Sequence, residues 1–107
     1  MMGHTEKRAS ERIPADLEVK FYCCEEVQDG RVVNISRLGM FIKNWEMCFP
    51  FDEKLTILIP FEGGELHVFA SLRRVEISPH SHDGIGVELL NPPEAYYAFL
   101  EDLRSSL

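Results

Sequence analysis

Apolar and polar residues alternate in one short segment after another along this chain. That period of two confines most of it to a β architecture. Leu17, Val19 and Phe21 alternate with Glu18, Lys20 and Tyr22. After a polar stretch and a turn signal at Gly30, residues 31–35 form a second strand candidate, and residues 40–42 open a third beyond a turn at 36–39. In residues 54–60, Leu55, Ile57 and Ile59 share one face. The paired glycines of Glu62, Gly63, Gly64 and Glu65 suit the positive φ of a hairpin turn. A long strand over 66–77 carries apolar residues first at even positions (Leu66, Val68, Ala70, Leu72) and then at odd ones (Val75, Ile77). The change of parity predicts a bulge near Arg73 and Arg74. Ile85, Val87 and Leu89 alternate in a last strand.

The period then changes. Tyr96, Phe99, Leu100 and Leu103 recur at helical spacing. The signals predict an amphipathic helix over 92–107, capped by Asn91, with Pro92 first and Glu94 three residues beyond the cap. Residues 1–14 are charged, lack periodicity and end at Pro14, so they read as a flexible arm. A mostly all-β fold is therefore expected: one small antiparallel β-barrel, closed or nearly closed, of about six strands, with a C-terminal helix, over residues 15–107.

Composition limits the function classes. The chain has 107 residues and is 45% hydrophobic, enough for one modest core. Its formal charge of -7 opposes binding of nucleic-acid polymers or anionic membranes. The charge is uneven, however. Residues 1–43 hold seven of the 11 basic residues against seven acidic ones, so a small polyanion finds its cations there. Cys23, Cys24 and Cys48 are odd in number with no C-x-x-C pair, which fits reduced thiols in a cytoplasmic protein. No apolar run approaches the ~20 residues of a membrane span.

No nucleophile elbow, P-loop, dinucleotide fingerprint or zinc-hydrolase motif is present, and no catalytic residues are expected. His80, His82 and Asp83 lack a convincing further metal ligand and read as a polar loop. Trp45, Phe49, Phe51, Phe61 and Phe69 have no basic residues interleaved among them, so core packing is expected in place of a nucleic-acid stacking surface.

Two polar patterns remain. Arg8 and Arg12 form an R-x-x-x-R in the N-terminal arm, with Lys7 just before it. Asn34, Ser36 and Gly39 form an N-x-S-x-x-G between the second and third strand candidates, with Arg37 inside it. In this order on this strand pattern they resemble the signature of the PilZ family. The run Leu72, Arg73, Arg74, Val75, the run from Gly84 to Leu89 and the C-terminal helix resemble that family as well. The resemblance implies a receptor for the second messenger cyclic di-GMP, a ligand rather than a cofactor, with Arg8, Arg12, Asn34, Ser36 and Gly39 at the site and Lys7 and Arg37 as weaker members.

The chemistry agrees with that implication. Guanidinium grips phosphate with two parallel donors and also pairs with guanine O6 and N7. Asn34 and Ser36 can address a base edge, and Gly39 permits positive φ or close approach of a ligand. The sequence departs from the family's commonest pattern at Asn34, where Asp is frequent, at Leu38, where a second Gly is frequent, and at Lys7, where another Arg is frequent. With one domain, the expected output is altered contact with a downstream protein, by a monomer or homodimer whose arm orders on binding. The alternative is a PilZ-like protein-interaction module that does not bind the nucleotide.

Overall fold

The computed structural model describes residues 12–23, 26–43, 54–61, 63–76 and 84–106. Six strands close into an antiparallel barrel: β1 (Ile13–Cys23), β2 (Glu26–Ile35), β3 (Gly39–Lys43), β4 (Lys54–Phe61), β5 (Gly64–Glu76) and β6 (Gly84–Leu89). Their order around the barrel is β1-β2-β3-β6-β5-β4. The helix α1 (Glu94–Ser105) follows.

The alternation read from the sequence fills the interior. Val19, Phe21, Ile57, Ile59, Val68, Ala70 and Ile85 are all buried. Gly63, at φ +80, lies in the β4–β5 turn as expected, whereas Gly64 is already the first residue of β5, paired with Phe61. The predicted bulge is present too, as a register shift of β5 against β6 between Leu72 and Arg74.

Several local expectations fail for physical reasons. Gly30 is not a turn. It lies within β2 opposite Val19, where a Cβ would stand 2.5 Å from Ile42 Cγ2. Ile13 and Pro14 belong to β1, not to an arm: they pair with Ile35 and Asn34, and Ile13 is buried. Asn91 does not cap the helix. It takes φ 47, a conformation that Asn tolerates, and α1 begins at Glu94 with Pro93 at the N-cap and no side-chain cap bond. Phe69 is not core but 59% exposed, whereas Phe61 packs edge-on against Phe99 at 5.8 Å. Trp45, Phe49, Phe51, His80, His82, Asp83, Cys24 and Cys48 lie outside the described residues. No helix among the described residues is long and apolar enough to cross a membrane.

Candidate functional site

Arg12 precedes Ile13, whose burial pins the start of β1 beside the end of β2. The two halves of the expected signature consequently meet: Arg12 Nη1 donates to Asn34 Oδ1 at 2.6 Å, across 22 positions of sequence. A second register irregularity prepares Asn34 for this contact. β2 shifts against β3 between Val32 and Asn34, and against β1 opposite Pro14 and Leu17. Val32 and Ile35 are both buried, three residues apart, so strict alternation is broken and Asn34 is left half-exposed. Without the bulge, Asn34 would follow Val32 into the core.

Ser36 is buried, and its hydroxyl is used locally. Its Oγ accepts from the backbone N–H of Leu38 and of Gly39, both at 3.1 Å, and lies 3.3 Å from Gly39 O. The Ser36 N–H donates to the same carbonyl at 2.8 Å. Ser36 thus locks the turn between β2 and β3. At Gly39 the sequence reading named positive φ or a nearby ligand. The structure supplies a third reason: a Cβ there would stand 2.2 Å from the Val87 carbonyl oxygen, so only glycine lets β3 approach β6. Leu38, beside it, is 54% exposed.

Sequence reasoning missed Tyr96. Its hydroxyl donates to Ser36 O at 2.6 Å and ties α1 to the turn. Burial, assisted by Tyr97, raises the Tyr96 phenol pKa well above its ordinary value, against the opposing charge of Arg12. Arg37 points toward the helix, its guanidinium carbon 4.3 Å from the Tyr97 ring centroid. Helical spacing showed only that Tyr96 faces inward; no signal in the sequence could name a partner 60 residues away. Lys7 and Arg8 lie outside the described residues.

Arg12, Ser36, Leu38, Gly39, Phe41, Arg73, Arg74, Gly86, Val87 and Glu88 line one cleft of about 510 Å³. Among the described residues, its charged walls are three guanidiniums against one carboxylate. A cleft of about 460 Å³ elsewhere on the barrel is lined by Glu18, Lys20, Asp29, Arg31 and Glu65 among others. There the lining carboxylates, Glu18, Asp29 and Glu65, outnumber the cations; Lys20 pairs with Asp29 at 2.7 Å and Arg31 with Asp16 and Glu18, just as Arg73 pairs with Glu88 and Arg74 with Glu76 at the first cleft. Of the two clefts, the first is the one suited to an anion.

The PilZ domain model matches residues 6–105. The chain belongs to the PilZ domain family. Among solved structures, the Bacillus subtilis inhibitor of motility MotI/DgrA aligns with a TM-score of 0.71 and 24% identity, over 89% of this chain and 48% of that one. This PilZ chain thus spans about half the length of that protein. The PilZ domain of YcgR from Escherichia coli, solved with c-di-GMP, aligns with a TM-score of 0.69 and 17% identity, over 92% of this chain and 90% of that one. At these identities the two structures establish the shared fold. No curated protein matches the chain.

Proposed function

We propose that this PilZ domain is a cytoplasmic, non-enzymatic receptor for cyclic di-GMP that signals to a protein partner. The observation that carries the reading is the 2.6 Å bond from Arg12 to Asn34, which joins the two halves of the PilZ signature in one place. Arg12 opens onto a cleft whose positive charge suits a dianion. On binding, the Arg12 guanidinium exchanges its neutral carboxamide partner for phosphate or a guanine edge. Asn34, released, pairs with a base edge through its own donor and acceptor. Ser36 acts by holding the lip on which the nucleotide rests. Lys7 and Arg8 close over the ligand from the N-terminal side, and the surface so ordered is what the partner reads.

Isothermal titration with cyclic di-GMP tests this. The parent chain binds, and Arg12→Ala and Arg8→Ala each weaken binding, because a charge-assisted contact contributes about 1.5–3 kcal/mol. Unchanged affinity in both variants overturns the site. A flat titration of the folded parent overturns the receptor reading and favours a protein-interaction module that does not bind the nucleotide.

A further inference from the structure

Two cleft residues belong to neither motif. Arg73 and Arg74 are consecutive in β5, and in a regular strand they would project to opposite faces of the barrel wall. The bulge between Leu72 and Arg74 removes that alternation, leaving both residues exposed and both lining the cleft that Arg12 lines. Bulges commonly re-aim side chains in this way beside functional sites.

Neither guanidinium is tightly held. Arg73 Nε is 3.4 Å from Glu88 Oε1, and these side chains are 65% and 51% exposed. Arg74 Nη2 is 3.1 Å from Glu76 Oε2, again at the surface. Exposed pairs of this kind are weak, whereas phosphate offers a guanidinium a bidentate acceptor. Arg74 is also aimed in advance. Its stem lies over Gly86, where a Cβ would stand 3.1 Å from Arg74 Cγ, and its guanidinium carbon lies 5.6 Å from the Phe41 ring centroid.

We infer that Arg73 and Arg74 are ligand contacts that form the β5 wall of the site and take the phosphate that Arg12 does not reach, while Glu88 is an internal competitor holding Arg73 until the ligand displaces it. The inference rests on the cyclic di-GMP reading. A cyclic dinucleotide carries its two phosphates on opposite edges of one ring, so a single cationic wall cannot serve both. The bulge supplies the second wall from a strand far from either motif in sequence. Glu88, the only carboxylate lining the cleft among the described residues, holds the Arg73 guanidinium for which a phosphate would compete.

The test is isothermal titration of the full chain with cyclic di-GMP, comparing the parent, Arg73→Gln, Arg74→Gln, the double variant and Glu88→Gln. Glutamine keeps a polar stem of similar reach and removes the charge. The arginine variants should each bind about tenfold more weakly, and the double variant about a hundredfold, as expected for charged contacts at a partly exposed site. Glu88→Gln should bind several-fold more tightly, because the ligand no longer displaces a carboxylate. Thermal unfolding without nucleotide should leave all four variants near the parent, since every altered side chain is exposed. A parent that binds together with a double variant that binds equally well overturns the β5 wall and leaves the receptor reading standing. Weaker binding by Glu88→Gln makes the carboxylate a ligand contact and overturns its role as competitor. A parent that does not bind overturns the receptor reading, and this inference with it.

Discussion

At the scale of single residues, Gly39 and Tyr96 hold the site in shape. The Cβ of Gly39→Ala would collide with backbone, at 2.2 Å from Val87 O, so no rotamer change relieves it. β3 and β6 must part, at a cost of about 1–3 kcal/mol as for other overpacked positions. Urea unfolding should show that loss as a lower midpoint. Tyr96→Phe removes the donor to Ser36 O and leaves a carbonyl of a buried residue without it, a loss of about 1–3 kcal/mol by the same measurement. Tyr96 also predicts a pH dependence. Its pKa is raised in the native state, so its contribution to stability is complete below about pH 10, where a free phenol remains protonated. As pH rises further, the unfolded chain releases the proton while the native chain retains it, and stability falls. Measured from pH 8 to 11, the Tyr96 contribution to the thermal midpoint should hold up to about pH 10 and fall above it, and Tyr96→Phe should decline less steeply there.

At the scale of elements, two bulges and one helix matter most. The bulge in β2 turns Asn34 outward, and the bulge in β5 brings two arginines to one face. Polar side chains thereby leave the barrel interior without interrupting the apolar residues on either side, and the two arginines line the cleft. The helix is held by Leu100 and Tyr96, both buried in the same core as the strands. Its N-terminus lacks a side-chain cap bond, so packing rather than capping stabilises it. Leu100→Ala should therefore cost about 2–5 kcal/mol in urea unfolding. It should also loosen the turn at Ser36, observable as increased hydrogen exchange of the Leu38 and Gly39 amides.

At the scale of the whole molecule, closure is decisive. β1 meets β4 through Lys20 with Leu58, Phe21 with Ile57, and Tyr22 with Thr56, and this seam removes the open sheet edge. Phe21 lies in the seam and is fully buried. Phe21→Ala should cost about 3–5 kcal/mol, a large part of the ordinary stability of a domain this size, and should shift the urea midpoint more than any surface change. Under the receptor reading, cyclic di-GMP at a hundred times its Kd should stabilise the native state by about 2.7 kcal/mol, visible as a rise in the thermal midpoint.

The sequence by itself determined what depends on neighbouring residues. Alternation identified the strands, because the side chains of a half-buried strand face two media in turn. The parity change at Arg73 and Arg74 revealed a bulge, and the spacing of Tyr96, Phe99, Leu100 and Leu103 revealed the helix. The motif residues were legible as a pair of patterns. Only the tertiary structure decided which of them meet. The joining of Arg12 to Asn34, the contact of Tyr96 with Ser36 and the convergence of Arg73 and Arg74 on the cleft that Arg12 lines all depend on how the barrel brings distant segments together. Gly30 shows the same limit: a glycine that reads as a turn is required instead by Ile42 on the adjacent strand. Local patterns report burial and backbone preference, whereas partners far apart in sequence are chosen by strand order and register, which no short window of residues contains.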